Sequence, residues 1–139
     1  MLGSASNPKA AAKALDALRI IVALLILIHG LFRLTQGGVP PFGQWLESQG
    51  LPAGYALAMA VTLYELVGPA ALLVRRFVSA AALGHIGILT LGMVMVHMPF
   101  GWFVVGAGRN GMEYSVLLIA SLVAIAWAHW PADNKIWRS

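Results

Sequence analysis

The sequence predicts an all-α membrane protein: a four-transmembrane-helix bundle with a short interfacial helix in the first extracytoplasmic loop. Three observations carry this. Hydrophobic residues make up 60% of the 139 positions and charged residues only 10%, with a mean hydropathy of +0.81, which leaves too little polar surface to clothe a soluble globule. Several apolar runs approach the roughly 20 residues that cross about 30 Å of hydrocarbon as a helix. The basic residues sit in ones and twos at the ends of those runs, where they act as topology signals.

The first span is expected at about Leu15 to Leu34. Asn7 and Pro8 ahead of it suit a helix N-cap and first helical position, so an amphipathic lead-in carrying Lys9 and Lys13 starts the helix before the membrane. The run ends in His29-Gly30-Leu31-Phe32-Arg33 without a small-residue cleavage site, so it reads as a retained span and not as a secretory leader. Gly37-Gly38-Val39-Pro40-Pro41 then forms a connection. From Phe42 to Gln49, the residues Phe42, Trp45, Leu46 and Gln49 fall at helical spacing, and Gly50 ends the turn. This is the interfacial helix, with Trp45 at headgroup depth and Pro52 marking the return into the membrane.

The second span is expected at about Tyr55 to Val74 and the third at about Val78 to Val96, joined by Arg75-Arg76, a link too short for anything but a tight hairpin. The fourth, about Met112 to Trp130, follows the loop from Pro99 to Gly111 and precedes a tail with Lys135 and Arg138. One domain of this kind occupies residues 1–139. On one side stand Lys9, Lys13, Arg19, Arg75, Arg76, Lys135 and Arg138, against Arg33 and Arg109 on the other. The positive-inside rule makes the rich side cytoplasmic, with both termini there, and a short chain of this pattern suits a multi-pass protein of a bacterial inner membrane.

Two function classes fall away. The net charge of +4 is dispersed among span ends and forms no patch for nucleic acid. Cysteine is absent, so this chain alone builds no disulfide, thiol relay or thiolate metal site, which excludes a protein passing electrons between its own thiols and a quinone.

Ionisable residues inside spans are costly in hydrocarbon and must face the bundle interior, pair, or mark a pathway. His29 and Arg33 lie one turn apart on one face of the first span. Glu65 lies near the middle of the second, His97 closes the third, and Arg109, Asn110 and Glu113 stand at the start of the fourth. All converge on the extracytoplasmic half; His85, nearer the inner half, is the exception. Glu65 has two readings, a proton acceptor or ligand partner within the bilayer, and a static pair with Arg33 or His29 that joins the first two spans. Asn110 and Glu113, three apart, also fit a capping box, which would leave Arg109 outside the helix and able to reach a ligand.

His29 and His97 as haem ligands, or with Glu65 and Glu113 around a metal, remain an alternative that the spacing does not require. No span carries a Glu-x-x-His pair, and His85 and His97 point a third of a turn apart, so no metal is assigned. His129, beside Trp130, meets headgroups. Ala80, Gly84, Gly87 and Gly92 permit close packing of the third span inside the bundle or against a second copy, a route to a homo-oligomer. Gly68-Pro69 loosens the second span one turn after Glu65. Met93, Met95, Met98 and Trp102 read as packing and interface anchors.

His29-Gly30-Leu31-Phe32-Arg33, Gly50-Leu51-Pro52, Glu65-Leu66-Val67-Gly68 with Leu72-Leu73, His97, and Gly111-Met112-Glu113 occur in an order and spacing that resemble the DoxX family, or DoxX/DoxD-like four-helix membrane proteins. Arg33 departs from the pattern, which usually has lysine there, exchanging a compact ammonium for a planar fork. The resemblance implies a membrane subunit or partner of a redox system, as in thiosulfate:quinone oxidoreductases and oxidative-stress complexes. Two hypotheses follow. In the first, the polar cluster binds a small lipophilic molecule such as a quinone, with Glu65 and His29 as the catalytic proton-exchanging pair, Arg33 fixing an oxygen, and Arg33, Glu65, His97, Arg109, Asn110 and Glu113 lining the ligand site. A redox partner subunit would supply the electron chemistry, since this chain has no nucleotide motif of its own. In the second, the protein is a non-catalytic scaffold or small-solute carrier whose cluster fixes helix packing.

Overall fold

The computed structural model describes residues 7–106 and 110–136, the side chains of 131–136 excepted. Among the described residues five α-helices follow one another: α1 (Pro8–Thr35), α2 (Val39–Ser48), α3 (Gly54–Leu73), α4 (Val78–Gly92) and α5 (Glu113–Ile136). Past Gly92 the α4 segment continues through a π-helical turn, Met93–His97, and a 3₁₀ turn, Met98–Phe100. Four helical segments among the described residues are long and apolar enough to cross a bilayer: Pro8–Thr35, Gly54–Leu73, Val78–Phe100 and Glu113–Trp130. They alternate in direction around a ring in which α1 packs on α3, α3 on α4, α4 on α5 and α5 on α1. One end of the bundle carries Asp16, Arg19, Arg75 and Arg76 and is called here the basic end; Arg33 and His97 lie toward the other.

Local chemistry sets the boundaries. The Asn7 side chain accepts the Lys9 and Ala10 amides at 3.1 and 3.3 Å, and Pro8 costs nothing at a position whose N–H has no intrahelical partner. The sequence predicts a connection through Pro41, yet α2 already begins at Val39, because Pro40 and Pro41 occupy its first turn, where a missing N–H is harmless. Gly43 of α2 lies against Gly54 and Tyr55 of α3 so closely that a Cβ there would stand 2.8 Å from the Tyr55 backbone. The Glu47 carboxylate on α2 accepts the Gly54 amide at 3.1 Å, so one helix caps the next and places an anion at its positive end.

The α3–α4 hairpin reverses over Val74 to Phe77 with Arg75 and Phe77 in the left-handed region, at φ 59° and 54°. Arg75 Nη1 meets Asp16 of α1 at 3.4 Å. The core lies toward the basic end, built from Val22, Ala23, Ile26, Leu72, Val78, Ala82, Leu118, Leu122, Ile125 and neighbours, and the Ser79 hydroxyl donates to the Ala126 carbonyl at 3.1 Å to join α4 and α5. Large apolar side chains such as Ile28, Phe32, Val67, Leu91 and Trp127 point outward, as in a bundle whose solvent is lipid. A second, smaller cluster, Val39, Leu46 and Ala58 with Phe42, Trp45 and Met59, fixes α2 on α3.

Candidate functional site

The inward face of α3 repeats Ala58, Thr62, Glu65, Gly68, Pro69 and Leu72, all buried, at helical spacing. Gly30 of α1 has no side chain where α1 meets this face, and a Cβ there would come within 2.8 Å of the Glu65 Cβ. That contact brings Arg33, one turn later, onto Glu65. Arg33 Nη1 donates to Glu65 Oε2 at 2.7 Å and to Thr62 Oγ1 at 3.2 Å, while Nη2 reaches Glu65 Oε1 at 3.5 Å. The guanidinium also lies over the Phe42 ring of α2, 4.7 Å from its centroid. A fork laid on a carboxylate uses the planar geometry that lysine lacks. Thr62 donates in turn to the Ala58 carbonyl at 2.7 Å, which orients its oxygen lone pairs toward Arg33.

Arg33 also forms part of the wall of a cavity of about 610 Å³ that opens between the helices at this end. Leu25, Ile26 and His29 of α1, Trp45 and Leu46 of α2, Leu57 and Val61 of α3, Ile88 and Leu89 of α4, and Ser115 and Leu118 of α5 line it. The π turn supplies Met93, Met95, Val96 and His97. An extra residue in one helical turn bulges the backbone and redirects side chains, a device common at functional sites. The lining is mostly apolar, and among the described residues its basic groups are Arg33, His29 and His97, with no carboxylate. In this apolar wall Arg33 is a hydrogen-bond donor held in place by Glu65 and Thr62.

The cluster expected from the sequence therefore divides. Arg33 and Glu65 are in direct contact, and Arg33, His29 and His97 share the cavity wall; Glu65 stands behind Arg33 and does not line it. Asn110 and Glu113 belong to a loop arrangement. The Asn110 carbonyl holds His97 Nδ1 at 2.9 Å, and the Glu113 carboxylate accepts the Val104 amide at 2.9 Å. The amides of Gly111, Met112 and Glu113 bond the Phe103, Gly101 and Trp102 carbonyls, so the loop folds back on the start of α5. The capping box expected from Asn110 and Glu113 gives way to this: the Glu113 carboxylate is spent on Val104 across the loop. Arg109 lies outside the described residues. Among the described residues, no three His, Cys, Asp or Glu side chains gather around a point where a metal ion would sit.

Two polar residues carry roles the sequence did not disclose. Arg19, expected only as a topology signal, is 3% exposed. It donates to the Leu72 and Leu73 carbonyls at the end of α3 and pairs with Asp16 at 3.3 Å. A cation capping a helix C-terminus meets the last, unsatisfied carbonyls and the negative end of the dipole, and its position inside an apolar run was the signal available. His85, 1% exposed, presses its ring on Gly68, and Tyr64 packs on the ring at 4.8 Å between centroids. Of the small residues on α4, Gly84 is covered by the Tyr64 hydroxyl, whereas nothing within 4 Å would meet a Cβ on Gly87 or Gly92.

Four lipid-length helices among the described residues, a short helix packed beside them and a part-buried ion pair next to an apolar cavity define a small polytopic membrane protein. The chain belongs to the DoxX family, whose model matches residues 14–98, a stretch that takes in most of α1, all of α2, α3 and α4, and the π turn. The α5 helix lies beyond the matched residues. No curated protein and no solved structure matches the chain.

Proposed function

We propose that this protein is the small membrane subunit or partner of a quinone-linked redox system, and that its cavity takes a lipophilic, oxygen-bearing molecule such as a quinone. The supporting observation is the Arg33 fork, held on Glu65 and Thr62 behind it and forming part of the wall of a 610 Å³ apolar chamber. A quinone ring suits that chamber, and a guanidinium donor fixes a carbonyl oxygen. His29 and His97 on the same wall are proton-exchanging groups for a reduced guest, with Glu65 acting through Arg33. Electrons come from a partner subunit. The charge bias orients the chain with both termini in the cytoplasm of a bacterial inner membrane, which puts the chamber in the extracytoplasmic half.

A second reading, the scaffold, draws on the same pair: Arg33 and Glu65 satisfy each other and join α1 to α3 where Gly30 lets them touch. Titrating a short-chain quinone into the purified protein in nanodiscs separates the two. Saturable binding that falls at least tenfold in Arg33→Ala supports the quinone site. Equal binding by wild type, Arg33→Ala and Glu65→Gln, or none by any, together with a large loss of thermal stability in the variants, supports the scaffold.

A further inference from the structure

Two connectors lie at the Arg33 end of the bundle, and they present opposite faces. The α2 connector turns Phe42, Trp45 and Leu46 onto α3 and the cavity and shows Gln44, Ser48 and Gln49 outward. The loop after the π turn does the reverse. From Met98 to Gly106 it carries no charged, amide or hydroxyl side chain, and Met98, Phe100, Trp102, Phe103, Val104 and Val105 are all exposed, Phe103 by 65% and Val105 by 77%. Its backbone polar groups are turned the other way. The Gly101, Trp102 and Phe103 carbonyls accept the Met112, Glu113 and Gly111 amides at 3.0, 3.0 and 3.1 Å, the Met98 carbonyl accepts the Gly101 amide at 3.1 Å, and the Val104 amide donates to the Glu113 carboxylate at 2.9 Å. A loop facing water has no need to satisfy its carbonyls from within, and it does not gain by exposing six large apolar side chains together.

We infer that the Met98–Gly106 loop is a membrane-docking element, lying in the headgroup and upper acyl region of the leaflet at the Arg33 end with its apolar side chains in lipid. Irregular backbone is excluded from the hydrocarbon centre because its polar groups would go unpaired there, whereas at the interface a loop with its carbonyls bonded inward and its apolar side chains outward suits the lipid it meets. The loop is also continuous with lipid-facing surface on both sides. Val94 in the π turn before it, and Tyr114 and Leu117 at the start of α5 after it, are exposed residues of segments long and apolar enough to cross a bilayer. Aromatic rings concentrate at this depth, where the Trp102 indole reaches headgroup oxygens with its N–H while its ring stays among acyl chains. Docking here holds the outer end of the α4 segment at a set depth, since Met98 follows directly on the π turn that supplies part of the cavity wall. The inference stands apart from any guest in the cavity and is tested with no quinone present.

The chain has no cysteine, so a nitroxide attached at Val105→Cys reports this site alone in the full protein reconstituted in phosphatidylcholine/phosphatidylglycerol vesicles. Leu117→Cys on the outer face of α5 serves as the lipid reference, and Gln49→Cys at the end of α2 as the water reference. Power saturation compares collision with oxygen, which partitions into the acyl region, against collision with a water-soluble nickel chelate. The expected oxygen-to-nickel ratio at Val105 is at least tenfold higher than at Gln49 and approaches that at Leu117. A ratio equal to that at Gln49 puts the loop in water and overturns the inference. A label shielded from both reagents means that protein covers the loop, a second copy or another subunit, and overturns it too. Should Val105→Cys not fold, Trp102→Phe, which keeps a ring in place, decides. The emission lost relative to wild type should be strongly quenched by phosphatidylcholine brominated near the top of its acyl chains, and a Trp102 emission that this lipid does not quench overturns the inference.

Discussion

The bundle holds an arginine toward each end, Arg19 buried and Arg33 part-buried, and the two are held in opposite ways. At the basic end, Arg19 is enclosed by the carbonyls that finish α3 and by Asp16 one turn away, next to a packed core of Leu72, Val78 and Leu122. At the other end, Arg33 is gripped on one side by Glu65 and Thr62 and forms part of a cavity wall on another. Both arrangements meet the cost of a cation in hydrocarbon. Arg19 has its partners within helix ends and adds stability. Arg33 is supported from behind, so its remaining donors are available to something that enters.

The comparison breaks most clearly at Glu65. Glu65→Ala leaves the part-buried Arg33 guanidinium with only Thr62 and the Phe42 face, a loss of about 3 kcal/mol, the low end of what breaking a buried pair costs. Reversible unfolding in mixed micelles measures it, and quinone binding should be lost with it. Arg19→Ala should cost a similar or slightly smaller amount, since the Leu72 and Leu73 carbonyls regain partners if water enters at the helix end, and binding in the cavity should be unchanged. A binding loss in Arg19→Ala equal to that in Glu65→Ala would erase the distinction between the two ends.

Smaller effects sharpen it. Gly54→Ala places a methyl on the Gly43 carbonyl, backbone against backbone, and should cost about 1–3 kcal/mol while displacing α2 and its Phe42 and Trp45 from the cavity wall. Trp45 fluorescence reports the displacement. Glu47→Gln removes an anion from the start of α3 and should cost about 0.3–1 kcal/mol, read from the same unfolding curves. His97→Ala, which loses one bond to the Asn110 carbonyl near the surface, should cost less than about 1.5 kcal/mol yet weaken quinone binding severalfold.

The four spans and the interfacial helix were legible because long apolar runs with basic ends have one physical solution in a bilayer. The meeting of Arg33 with Glu65 was legible as one of two readings, since a lone carboxylate in mid-span needs a partner and the first span offered Arg33 and His29. The role of Arg19 was hidden by its closeness to the span end, where an arginine usually reaches the headgroups; its partners are carbonyls, which no side-chain pattern reveals. Met93–His97 carries nothing that tells a π turn from an ordinary helical one, so the turn that brings both methionines and His97 to the cavity appears only in three dimensions. Glu113 kept its place at the start of α5 but its carboxylate accepts from the Val104 amide, because the loop folds back over the helix end.

Photolabelling gives the most direct test of the claim that the Arg33 end holds a guest and the Arg19 end does not. An azido-quinone is photoactivated with the protein in nanodiscs, with and without excess unmodified quinone, and the labelled peptides are mapped by mass spectrometry. The expected result is competed label on the peptides containing His29, Trp45 and Met93 to His97, sharply reduced in Arg33→Ala. Label confined to the lipid-facing side chains of α5 or to the basic end around Arg19 and Arg75, or label that excess quinone does not compete, would contradict the account.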